Sequence, residues 1–164
     1  MKTTSIILLA ILATTVYAAP AAPFRFEKKG TLPSGVRYEL MVTEGPFRPN
    51  PQLPTDDCGM WGTDCGTPTY SVQNLTLKLN GKEVHFPHKF VADLSHIRSV
   101  EINNVKDGIE IILHGGDAAG SFTAEFLVRK QRLVERLVRH GEFPDEVWEK
   151  TLIGNDLLDH PERY

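Results

Sequence analysis

The chain has 164 residues, of which 41% are hydrophobic and 24% charged, and its 18 Lys+Arg against 21 Asp+Glu leave a net charge of −3. That mild acidity leaves no electrostatic footprint for nucleic acid or an anionic membrane surface. The length suits one domain with a real core, and there is neither an internal repeat nor a second long hydrophobic segment.

Residues 1–18 read as a signal peptide. Lys2 supplies the positive start, Ile6 to Val16 is an apolar run of eleven residues, and Val16-Tyr17-Ala18 fits a small-x-small cleavage site. The run is short of the ~20 residues a membrane helix needs. Cleavage after Ala18 is therefore expected to release an exported protein, periplasmic or extracellular, with no stable membrane anchor. Losing Lys2 with the leader takes the net charge from −3 to −4.

Residues 19–34 are rich in Pro and Ala and then charged. They read as an extended lead-in, with Phe24 and Phe26 placed to dock as an edge strand. Val36, Tyr38, Leu40 and Val42 then alternate on one strand face. Residues 44–69 form a long irregular connection with many prolines and glycines and both cysteines, the kind of stretch that is usually functional.

Within it, Cys58 and Cys65 bracket CGMWGTDC. Two cysteines this close in an oxidising compartment are expected to pair. Closing so short a loop stabilises by about 2.5 kcal/mol on the chain-entropy estimate. The spacing is wrong for a C-x-x-C redox centre. Met60 and Trp61 would sit at the tip of the stapled loop as candidate binding residues, since a pinned loop loses little entropy on binding and Trp is a frequent hot-spot residue. The competing reading folds Trp61 back onto the core. Asp56, Asp57 and Asp64 are weak candidates for calcium, without an EF-hand spacing.

Strand pattern returns at Tyr70 with Leu75, Leu77 and Leu79, and Asn80-Gly81 marks a type I′ hairpin leading to Val84 and Phe86. His85 and His88 flank Pro87 and are expected to be surface histidines. Asn74-Leu75-Thr76 is a glycosylation sequon expected to be unmodified. Phe90 to His96 reads as a loop or one helical turn. Ile97–Val105, Ile109–Leu113 and Phe122–Val128 read as strands, with a turn at Lys106-Asp107-Gly108.

Between the last two lies HGGDAAGSF (His114 to Phe122). It is neither G-x-x-x-x-G-K-[ST] nor G-x-G-x-x-G, Ser121 is in no G-x-S-x-G elbow, and a strand rather than a helix follows. It reads as a tight bend relieved by Gly115, Gly116 and Gly120, with the Asp117 side chain bonded to its own turn. Leu133, Val134, Leu137 and Val138 suit either an amphipathic helix or a returning strand after a turn at Lys130-Gln131, and the strand is preferred. Pro144 ahead of DEVWEK predicts a short C-terminal helix carrying Trp148. Residues 154–164 form a polar tail.

GGDAAGSF together with GEFPDEVWEKT (Gly141 to Thr151) resembles a group of small exported bacterial proteins of unknown function, over about Tyr70 to Ile153. The resemblance implies a bacterial source and a single exported domain, favours the strand reading of residues 133–138, and carries over no catalytic residue.

The expected fold is mainly β over residues 35–153: an antiparallel meander, sandwich or open barrel of five to seven strands. The expected function is a binding or inhibitor-type module acting on an envelope or extracellular protein, without a cofactor. The alternative is a small hydrolase or metal-dependent enzyme in which His114, Asp117, His140 and Glu142, with Asp145 nearby, cluster at one end of the sheet.

Overall fold

A computed structural model describes residues 22–49, 59–106 and 108–154. The leader at 1–18, the tail beyond Gly154, and Asp56, Asp57 and Cys58 lie outside the described residues. The chain is mainly β. A first sheet is built in the order β1 (Arg25–Thr31), β2 (Arg37–Pro46), β3 (Tyr70–Leu79) and β4 (Lys82–Val84). A second runs β5 (Ile97–Val105), β6 (Gly108–Gly115), β7 (Phe122–Arg129), β8 (Arg132–His140) and β9 (Val147–Leu152). Every neighbouring pair is antiparallel, so each sheet is a meander, and the two do not close into a barrel. Nine described strands replace the five to seven expected, and strand pairing begins at Arg25 inside the expected lead-in.

Period-2 alternation builds the core. Tyr38, Leu40 and Val42 of β2 and Leu75, Leu77 and Leu79 of β3 are buried on one face, and Ile109, Ile111 and Leu113 of β6 meet Phe122, Ala124, Phe126 and Val128 of β7. These side chains form a single apolar cluster spanning both sheets. Phe86 meets Phe126 edge-on across it, with ring centroids 6.0 Å apart.

Turn chemistry sets the register. Asn80 and Gly81 both take positive φ (49° and 82°) between the closing pair Leu79↔Lys82. Lys130 and Gln131 do the same (46° and 62°) between Arg129 and Arg132. Two left-handed residues in a two-residue loop match the twist of the flanking strands. Residues 133–138 therefore return as strand β8.

The expected C-terminal helix is not formed. Glu146 N–H donates to the Phe143 carbonyl (2.8 Å), His140 N–H donates to the Glu146 carbonyl (3.0 Å), and residues 147–152 pair with β8 as β9. A helix this short could not hold itself, whereas the edge of β8 offers a row of backbone partners.

Candidate functional site

Four loops converge at one end of the second sheet, and glycine lets their backbones touch. Gly62, at φ 96°, lies where a Cβ would collide with the Ser95 carbonyl. Gly116, at φ 66°, lies where a Cβ would collide with the Gly120 carbonyl and come within 2.8 Å of Gly62 Cα. At Gly120 and Gly141 a Cβ would press on Thr63 and on Ser121 respectively. HGGDAAGSF is thus the expected bend, a single 3-10 turn (Ala118–Gly120) that seats the loop carrying Trp61. Asp117 departs from expectation: its side chain makes no capping bond, and its backbone carbonyl accepts from Gly120 N–H (2.9 Å). Asp117 is exposed, with extended backbone (φ −139°) ahead of the turn. Ser121 Oγ is buried and has no hydrogen-bond partner among the described residues.

Trp61 sits at no projecting tip. Its N–H donates to the Asp93 carbonyl (2.8 Å), and its carbonyl accepts from Ser95 N–H (3.0 Å) and Ser95 Oγ (2.7 Å). His96 Nδ1 holds the next carbonyl, that of Gly62, at 2.9 Å. The indole is half-buried against the core and stacks on Trp148, with centroids 5.2 Å apart and planes 13° from parallel. Trp148 occupies a bulge where β9 pairs with Val138 and Arg139. His140 meets Trp148 edge-on at 4.7 Å and packs on Phe143 at 4.9 Å. Its Nδ1 accepts from the N–H groups of Glu142 (3.0 Å) and Phe143 (3.2 Å), which pins the β8–β9 loop to the platform. Each such ring pair contributes about 0.5–1.5 kcal/mol beyond its buried area.

The platform is exposed. Phe143 (56%), Val147 (48%) and Trp148 (37%) are the large hydrophobic side chains left open to solvent among the described residues. Met60 beside Trp61 is half-buried, and its carbonyl accepts from Thr63 Oγ1 (3.1 Å).

An ion cluster joins β8, β9 and the 93–96 loop. Arg136 is 3% exposed and points to the core side of β8, opposite Phe126. Its Nη2 donates to Asp93 Oδ2 at 2.7 Å and its Nη1 to both Glu149 oxygens at 2.8 and 2.9 Å, while Thr151 Oγ1 donates to Glu149 Oε1 (2.7 Å). One guanidinium thus faces two carboxylates. Burial pushes the Asp93 carboxyl above its ordinary value of 3.8, with the nearby Glu149 adding to the shift and Arg136 opposing it. A carboxyl whose folded pKa is raised holds its proton better folded than unfolded. Its contribution to stability is therefore greatest below pH 3.8 and declines as pH rises through the folded pKa. Asp93→Asn, which mimics the neutral form, should be at least as stable as the parent near neutral pH. The difference between the two should shrink on acidification in paired urea melts, and a difference that grows there would contradict the sign.

The catalytic candidates are kept apart. His114 lies on the outer face with Thr123, whose Oγ1 is 3.3 Å from His114 Nδ1, and its Nε2 is 3.3 Å from Glu101 Oε1. His140 pairs with Phe122 and so lies on the opposite, core-facing side. Asp117, Glu142 and Asp145 are exposed on two different loops. His85, His88 and Asp64 are also outside the buried core, and no group of three or more His, Cys, Asp or Glu could hold a metal among the described residues. Cys65 is exposed and is not a free thiol, but its expected partner Cys58 lies outside the described residues.

Arg136, Asp93, Glu149, Phe143 and Trp148 are absent from the sequence-based candidates. Arg136 had a usable signal, because on strand β8 it shares the parity of Val138 and so demands a buried acidic partner. No protein-family model, curated protein or solved structure matches the chain.

Proposed function

We propose that this protein is an exported binding module, of inhibitor or envelope-associated type, whose working surface is the patch formed by Phe143, Val147 and Trp148. The observation that carries the reading is an exposed aromatic surface on a fixed base: Trp61, His140 and the Arg136 ion cluster support it from within. Large aromatic side chains in such settings are frequent hot spots, and preorganisation lowers the entropy lost on association. The Cys58–Cys65 crosslink belongs to the same proposal, as a tether at the start of the Trp61 loop. The enzyme reading has less support, since His114 and His140 lie on opposite faces of the sheet.

Phe143→Ala separates binding from folding, because more than half of that side chain is already in water. Mature protein and variant are immobilised and used to capture partners from envelope extract and culture fluid, followed by affinity measurement on whatever is captured. Binding should fall about tenfold or more, with the melting temperature changed by no more than a few degrees. Undiminished binding by the variant removes the patch from the proposal.

A further inference from the structure

The loops that carry the aromatic platform bear exposed carboxylates, and beside it β9 ends its sheet without a second strand partner among the described residues. We infer that the platform takes a basic, extended polypeptide segment, which pairs with β9 as an added strand; this rests on the binding-module reading above. Three observations point there.

The first is the edge. β9 is outermost in its sheet and pairs with β8 alone among the described residues. On such a strand every second backbone N–H and C=O points away from the sheet, a template for another strand. Its six residues fit an extended segment of about 20 Å.

The second is charge. The loops at 59–66, 114–121 and 140–148 carry Asp64, Asp117, Glu142, Asp145 and Glu146, all exposed, and contain no Lys or Arg. Exposed Arg98 lies at the β5 bulge opposite residues 114 and 115, outside these loops. Arg139 bonds Glu125 (3.0 Å) and the Pro144 carbonyl (3.1 Å), and Arg136 is held by Asp93 and Glu149. Lys150 is the one cation on β9, and it reaches toward Glu135 at 3.8 Å.

The third is the rings. Exposed Phe143 and Trp148 offer faces for a guanidinium or ammonium group, an attraction that strengthens as water is excluded. An added strand presents alternate side chains to the same side, so basic residues at alternate positions would meet the rings and the carboxylates together. A second copy of this chain fits poorly, because it would bring the same carboxylates face to face.

The probes are short capped peptides: one alternating arginine with threonine, one alternating glutamate with threonine, and two forms of the basic one with alternate backbone amides methylated, one for each register. Each is titrated into the mature protein and followed by tryptophan fluorescence and calorimetry at two salt concentrations. The basic peptide should bind, the acidic one should not, and affinity should fall as salt rises. The triple variant Glu142→Gln, Asp145→Asn, Glu146→Gln changes only exposed side chains and should keep its fold by circular dichroism. It should bind the basic peptide about tenfold more weakly. Methylation on the face that pairs with β9 should abolish binding. Equal affinity for acidic and basic peptides, or an unaffected triple variant, overturns the charge argument. Undiminished binding of both methylation registers overturns strand addition. Self-association of the protein alone in sedimentation, abolished by Phe143→Ala, assigns the edge to a second copy and overturns the inference. Capture of a native partner through Phe143 without any affinity for the basic peptide overturns this inference alone, whereas loss of both removes the binding-module reading as well.

Discussion

Replacing Arg136 by methionine should cost about 3–5 kcal/mol of stability, the range for removing one partner of a buried ion pair. The side chain is 3% exposed and is the shared counter-ion of Asp93 and Glu149. Methionine fills much of the same space but leaves two carboxylates near each other without a cation. The loss should therefore shrink as pH falls and the Asp93 carboxyl takes up a proton, the sign expected for a group that binds its proton more tightly in the folded state. Adding Asp93→Asn and Glu149→Gln to Arg136→Met should recover most of the stability, since a buried ionic cluster can be replaced by neutral groups at little net cost. Denaturant melts of the single and triple variants decide the matter. A single-variant loss below about 1 kcal/mol would mean that the guanidinium only breaks even against its own desolvation.

Gly62→Ala should be comparably damaging, at roughly 3 kcal/mol or more, and should also disassemble the platform. Its φ of 96° is one that side-chain-bearing residues rarely adopt, and the added methyl would meet the Ser95 carbonyl and come within 3.0 Å of the Phe122 ring. Relief requires the Trp61 loop to lift away from residues 93–96. That separates Trp61 from Trp148, so the near-ultraviolet signal of the stacked indoles should be lost and tryptophan emission should shift to the red. Gly66→Ala is the control. No atom lies within 4 Å of the place its added methyl would take and its φ is not positive, so it should be close to neutral. Equal effects at the two positions would refute the close-packing account.

Local pattern reached far into this fold. The apolar alternation from Val36 onward marked β2, the leucines after Tyr70 marked β3, and the Asn80-Gly81 and Lys130-Gln131 turns closed their hairpins as expected. The strand reading of residues 133–138 was harder, because adjacent apolar pairs suit a helix equally well. It is settled by the hairpin with β7 and by a bulge at Leu127/Val128 that lets Leu133 reach the core. The helix expected after Pro144 went the other way. Proline at a helix start is a weak local preference, and an unsatisfied neighbouring strand overrode it.

The aromatic site was much less legible. Trp61 was noticed for its glycine-flanked loop, but not for the ring it meets, which lies on the outermost strand of the second sheet. By itself the order of amino acids determined a mainly β chain, its turn positions and the bend at HGGDAAGSF. Those features rest on two-residue periodicity and on backbone angles that act between near neighbours. Three-dimensional closure was needed to decide that Trp61 lies on Trp148, that Arg136 serves two carboxylates, and that His114 and His140 are separated by the thickness of a sheet. Such pairings depend on register and on glycine clearances between loops far apart in the chain, and no window along the sequence contains both sides of them.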